Sequence, residues 1–171
     1  MERLSISALN AMEKDEFVAR LGGIYEHSDW VPAAIYQQAP FQDPAALASA
    51  MRMAVQTSTD EAKLTLIRSH PDLAGKLARA GSLSEASTRE QAGLGLDRLS
   101  DGEYERFTDL NERYKERFGF PFVVCVRLTD KPEILTAFES RLENGMLGEI
   151  AESLRQIHQI ARLRLRDLVA E

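Results

Sequence analysis

Arg164 is the first residue that packing alone does not explain. In the last stretch of the chain, successive helical positions turn by roughly 100° per residue. Ile150, Leu154, Ile157, Ala161 and Leu168 then share one face, with Ile160 at its edge. Arg155, Gln159, Arg162 and Arg166 fall on the opposite, solvated side, but Arg164 projects near the middle of the apolar face. A buried guanidinium without a partner is costly, so Arg164 requires either an internal carboxylate or a bound anion. His70 is the second such residue. The proline that follows it, Pro71, pushes it out of the helical region and makes a corner. There an imidazole with an ordinary pKa near 6.5 can give or take a proton at neutral pH, unless it is simply a cap or a surface group. Glu90 stands three positions after Ser87. That spacing is a capping box, a structural role, and it equally aims both side chains at a helix N-terminus whose N–H groups attract anions. Asn111 and Tyr114 share one face of a long helical stretch and by themselves imply a buried polar contact. His27, in the polar run Glu26–Asp29, and His158, on the flank of the last helix, are plainer.

The elements that must position these groups are helices. Phe17, Leu21 and Ile24 follow helical spacing, with Gly22-Gly23 weakening the end. Trp30-Val31-Pro32 opens a short helix and Ala39-Pro40 closes it. Asp43 caps a helix with Pro44 at its first position, carrying Leu47, Met51, Ala54 and Val55 inward. Another begins near Asp60 and ends around Ser69, and a further one is expected through Leu73, Leu77 and Ala78 to Gly81. Ser87 starts the next by its capping box, and Ser100 with Glu103 the one after, which Gly119 closes. Phe120 to Arg127 is β-branched and apolar but lacks a partner strand, so it reads as an extended buried segment. Asp130-Lys131-Pro132 opens a helix through Ile134, Leu135, Phe138 and Leu142, and Asn144-Gly145 separates it from the last. The expected architecture is all-α: one domain, residues 1–171, a bundle of roughly seven to nine helices with a short extended segment near 120–127.

Composition narrows the function. At 171 residues the chain suits one well-cored domain. With 21 Lys and Arg against 27 Asp and Glu, the net charge of -6 argues against nucleic acid or an anionic membrane surface as partner. The one cysteine, Cys125, lies in the apolar run Phe122-Val123-Val124-Cys125-Val126, where it reads as a small buried hydrophobe. No disulfide within the chain is possible, and no metal-ligand spacing appears. With no leader-like opening, no apolar run long enough to span a bilayer and no peroxisomal ending, the expected compartment is the cytoplasm.

Taken together, the motifs say more than each does alone. His70-Pro71-Asp72-Leu73-Ala74-Gly75, Ser87-Thr88-Arg89-Glu90-Gln91-Ala92-Gly93-Leu94, Asn111-Glu112-Arg113-Tyr114 and Phe118-Gly119-Phe120-Pro121-Phe122-Val123 resemble the 2-oxo-4-hydroxy-4-carboxy-5-ureidoimidazoline (OHCU) decarboxylase family. The likeness extends upstream through Leu9-Asn10, Glu16-Phe17 and Glu26–Trp30, and downstream through Lys131, Ile134-Leu135, Arg141-Leu142 and Arg162–Leu165. The His-Pro-Asp-Leu-Ala-Gly and Phe-Gly-Phe-Pro-Phe-Val segments are its specific part. One departure is visible: many members carry Arg-Pro-Phe where this chain has Ala39-Pro40-Phe41, a change that bears on oligomer contacts or local stability rather than on chemistry.

The resemblance implies an all-helical homodimer that needs neither metal nor organic cofactor. It implies decarboxylation of OHCU, a small-molecule substrate, to (S)-allantoin in urate breakdown. It implies that His70 and Glu90 are catalytic. Substrate contacts would come from Pro71, Ser87, Gln91, Arg164 and the backbone of Phe122, Val123, Val124, Cys125 and Val126. With it, a ligand role for Arg164 comes ahead of an internal salt bridge. The competing expectations are a helical binding module without turnover and a decarboxylase of a related ureido-acid.

Overall fold

A computed structural model describes residues 3–75, 78 and 82–170. Among these residues there are nine α-helices and no strand; Leu4 and Val169 form an isolated bridge. No helix there is long and apolar enough to cross a membrane. The helices are α1 (Ile6–Asn10), α2 (Lys14–Leu21), α3 (Trp30–Ile35), α4 (Pro44–Gln56), α5 (Asp60–Arg68), α6 (Glu85–Gly93), α7 (Asp101–Phe118), α8 (Lys131–Leu142) and α9 (Met146–Leu168). Many of their starts are written in the sequence. Asp43 Oδ1 accepts from the Ala46 N–H at 2.7 Å to open α4, with Pro44 at its first position. Ser100 and Glu103 form a reciprocal capping box on α7. That helix ends at Gly119, whose φ of 74° is a left-handed conformation that glycine adopts without steric cost. Residues 120–125 follow as irregular backbone and lead into a 3₁₀ turn, Val126–Leu128; every residue from Phe120 to Val126 is buried, as expected of the extended segment.

Two expectations are corrected. Helix α6 begins one turn earlier than the Ser87 reading places it: Ser84 is the cap, its Oγ accepting from the Ser87 N–H at 3.2 Å, with Glu85 in the first turn. Ser87 and Glu90 therefore lie inside the helix, and Glu90 is not the third residue of a capping box. In α9 the expected apolar face is rotated in its first half: Glu149 and Ser153 are buried there, while Ile150 and Leu154 are only partly so. The expected helix from Leu73 to Gly81 falls largely on residues 76, 77 and 79–81, outside the described residues; Leu73 and Ala74 themselves form a turn.

The chain forms two compact units, one from the chain up to Leu66 together with the residues from His158 onward, the other Ile67–Ile157. In the first, Phe17 is fully buried, stacks on Phe41 at 6.2 Å and meets Tyr36 edge-on at 5.5 Å. Asn10 fixes the Phe41 peptide from both sides, donating to its carbonyl and accepting from its N–H, each at 2.8 Å. Here too the Tyr25 hydroxyl lies 2.9 Å from His158 Nδ1. Burial, with the nearby positive charge of Arg52, pushes the His158 imidazole down to about 4.

The second unit is built around a buried guanidinium. Tyr114, Phe120, Phe122 and Phe138 form an aromatic cluster, and Arg141 lies over the Phe122 ring at 4.3 Å. Arg141 Nε donates to both Glu149 oxygens at 3.1 and 3.0 Å, Nη1 to the Val123 carbonyl at 2.7 Å and Nη2 to Ser153 Oγ at 3.3 Å. Tyr114 donates its hydroxyl proton to Glu149, which also accepts from Asn144 Nδ2 at 3.0 Å. Burial and then this bond to a carboxylate push the Tyr114 phenol well above its ordinary range.

Two outcomes follow from these contacts. Arg141→Leu or Glu149→Leu alone should cost about 3–5 kcal/mol in denaturant unfolding, because each leaves a buried charge unmatched, while the double substitution should recover much of that loss. Equal, additive losses in the double variant would contradict the pairing. For His158, the folded pKa lies below the unfolded value of 6.5, so its contribution to stability is full above pH 6.5. That contribution is lost as the pH falls toward 4. His158→Gln should flatten the fall in unfolding free energy measured between pH 7 and pH 5.

Candidate active site

Most of the residues expected to meet a substrate lie on three segments of the second unit. The first is the corner after α5. The His70 N–H donates to the Ile67 carbonyl at 3.2 Å, and Pro71 then directs the chain into Asp72, Leu73 and Ala74. His70 is only 8% exposed, so it is not the surface group that a corner histidine could have been. Its burial calls for polar surroundings rather than a plain apolar wall.

The second segment is α6. With the helix starting at Glu85, the i, i+3, i+4 spacing of Ser87, Glu90 and Gln91 places the three on one face. Ser87 and Gln91 are buried, at 5% and 4% exposure, and Glu90 is half-buried. A helix normally turns its apolar stripe inward; this one buries a hydroxyl and an amide instead, with Glu90 half-buried beside them. Gln91 ties the face to the corner: its Oε1 accepts from the Ala74 N–H at 2.9 Å and its Nε2 donates to the Asp72 carbonyl at 3.4 Å.

The third segment is the buried run of Phe122, Val123, Val124, Cys125 and Val126. Arg141 holds the Val123 carbonyl, and Gln156 Oε1 accepts from the Cys125 N–H at 2.8 Å. Helix α6 packs against the 3₁₀ turn that continues this run. Corner, polar face and extended segment are thus brought together within one unit. Among the described residues there is no cluster of three or more His, Cys, Asp or Glu that could hold a metal ion.

Arg164 belongs to the other unit and is 7% exposed, as its place on an apolar face requires. The structure supplies the internal carboxylate: Arg164 Nη1 donates to Glu26 Oε2 at 2.7 Å and to the Gly23 carbonyl at 3.1 Å. Glu26 is itself buried. Sequence reasoning missed Glu26 as that partner, and it missed Arg141 and Glu149 as a core ion pair. No local signal pointed to Glu26. For Arg141, the signal was an arginine one turn after Phe138 on an otherwise apolar face. Ala39 lies in the first unit, two residues before the Phe41 peptide that Asn10 fixes.

The family model described as OHCU decarboxylase matches residues 10–166. A 2-oxo-4-hydroxy-4-carboxy-5-ureidoimidazoline decarboxylase from Haloferax volcanii is 41% identical, over 96% of each chain. One of the same name from Halalkalicoccus jeotgali is 36% identical, over 98% of this chain and 93% of its own. A solved (S)-allantoin synthase superposes with a TM-score of 0.78 at 32% identity; the match covers 97% of this chain and 54% of that one, so this chain spans about half its length. Matched almost end to end by the family model and by full-length relatives, the chain belongs to the OHCU decarboxylase family.

Proposed function

We propose that this protein decarboxylates 2-oxo-4-hydroxy-4-carboxy-5-ureidoimidazoline to (S)-allantoin in urate breakdown. The observation that carries the reading is the inward polar face of α6, Ser87, Glu90 and Gln91, tied by hydrogen bonds to the corner that bears His70. Such a face suits a small, polar, anionic substrate.

The chemistry asks little of the protein. The carboxylate leaves a carbon next to a ring C=N bond: as CO₂ departs, the electron pair of the broken C–C bond forms a C=C bond to the neighbouring ring carbon, and the C=N π pair moves to the ring nitrogen, which takes up a proton. The resulting enol gives up its hydroxyl proton to become the carbonyl, and one proton is delivered to the neighbouring ring carbon. The substrate is its own electron sink, and the protein's task is to hold the ring, stabilise developing charge and place the proton on one face. His70 bonds the substrate hydroxyl or carboxylate and relays the proton. Glu90 orients His70 or a ring nitrogen. Pro71 and Ser87 line the ring. The Gln91 amide nitrogen carries a second hydrogen beyond the one directed at Asp72; with backbone groups from Phe122 to Val126, it holds the ureido arm. On the family resemblance alone, Arg164 is assigned to neutralising substrate charge. The same reading makes the protein a homodimer that works without cofactor, which rests on the family alone.

The test is a chirality-sensitive assay in which the unstable substrate is generated in place from urate and (S)-allantoin is followed by circular dichroism. Fast formation of one enantiomer is expected. His70→Ala should lower kcat by at least about 10²-fold and Glu90→Gln by a comparable factor, both in folded protein. Slow, racemic product unchanged by the protein would replace this reading with that of a binding module of the same fold.

A further inference from the structure

We propose that Asn111, outside the residues assigned to substrate above, is a positioning residue for His70. It acts by holding the turn that follows the His-Pro corner. The inference rests on the reading of His70 as the proton-handling group.

Asn111 lies in the middle of α7, 3% exposed, and its Nδ2 donates to the Leu73 carbonyl at 2.8 Å. One turn later on the same face of α7, Lys115 Nζ pairs with the Asp72 carboxylate at 2.6 Å. From α6, Gln91 takes the Ala74 N–H and the Asp72 carbonyl. Three consecutive residues of the turn are therefore gripped from two helices. The turn needs that grip, since Ala74 has a φ of 51°, a left-handed conformation that a residue with a Cβ keeps only where its surroundings enforce it.

On the other side of the corner, the His70 N–H is bonded to Ile67, and Arg68 Nε donates to the Gly119 carbonyl at the end of the same α7. Only Ser69, His70 and Pro71 lie between Arg68 and Asp72, and the proline ring fixes one of their backbone dihedrals. Very little freedom is left to the imidazole's attachment point. Whatever holds Leu73 therefore helps to aim His70.

Among the three gripping side chains, Asn111 is the one whose presence folding does not explain. Lys115 and Asp72 are partly exposed and screened by solvent. Gln91 faces the site. Asn111 is buried, and its Oδ1 has no hydrogen-bond partner among the described residues, a costly state for a buried acceptor. A leucine of nearly the same shape would carry no such orphan, but it would take from the Leu73 carbonyl the donor it has here. The amide is explained by the hydrogen that it gives to the turn.

The experiment uses full-length protein with Asn111→Leu and Asn111→Asp, the second keeping the shape while replacing the donor by an acceptor. The chain has three histidines, so His70→Ala identifies the His70 imidazole signal in an NMR titration. In both Asn111 variants the His70 signal should shift and its titration curve move, with His27 and His158 unaffected. The kcat should fall roughly 10- to 100-fold while KM stays within about twofold. An unmoved His70 signal or an unchanged kcat in folded Asn111→Leu protein would overturn the proposal and leave Asn111 a core polar residue. Near-normal turnover of His70→Ala is a separate result: it would overturn the catalytic reading of His70, whatever the Asn111 variants do.

Discussion

A guanidinium inside an aromatic cluster imposes its terms on everything around it. Arg141 is stripped of water, so each of its nitrogens must find an acceptor within the fold. It finds Glu149, the Val123 carbonyl and Ser153, and Tyr114 closes the ring by donating to Glu149. These partners come from α7, the extended segment and α9. One side chain thus fixes the register of two helices and the path of irregular backbone between them. An extended segment without a sheet has no ladder to hold it in place; here Arg141 and Gln156 supply from the side part of what a neighbouring strand would otherwise give. Such a pair adds little net stability over a well-packed apolar core, but it tolerates few alternative arrangements.

The first unit has a parallel device in Arg164 and Glu26. The two buried pairs differ in what surrounds them. Arg141 is met by a carboxylate, a carbonyl, a hydroxyl and ring faces. Arg164 directs one nitrogen to both Glu26 and the Gly23 carbonyl. A carboxylate beside a guanidinium fixes the planar group in one orientation.

Much of the fold was legible because it is punctuated locally. Asp43-Pro44, Ser100 with Glu103, Gly119 and Asp130-Lys131-Pro132 each act within four residues of themselves, and the structure uses all of them. The start of α6 was misread because Ser82, Ser84 and Ser87, with Glu85 and Glu90, offer rival registers. Local pattern cannot choose among serines a turn apart. The face of α9 was misread for the opposite reason. Its buried stripe runs through Glu149, Ser153, Ile157, Ala161 and Arg164, so hydrophobic periodicity fails where the partner of a polar residue is another polar residue on a different element. The same logic made Arg164 visible as an anomaly and left Glu26 invisible as its answer. At the site, His70 could be read from its proline; the inward face of α6 could not, since it depends on where that helix begins.

The separation of paired charges along the chain has a consequence for how the protein comes into being. Arg141 and Glu149 are 8 positions apart, and Tyr114 lies 35 from Glu149, so the heart of the second unit can close from a short, contiguous stretch. Glu26 and Arg164 are 138 positions apart. In synthesis from the N-terminus Glu26 emerges well before Arg164, so the second unit, which lies between them in the chain, can condense before the first unit's buried pair can form. Of the two units, the one started first is the one completed last.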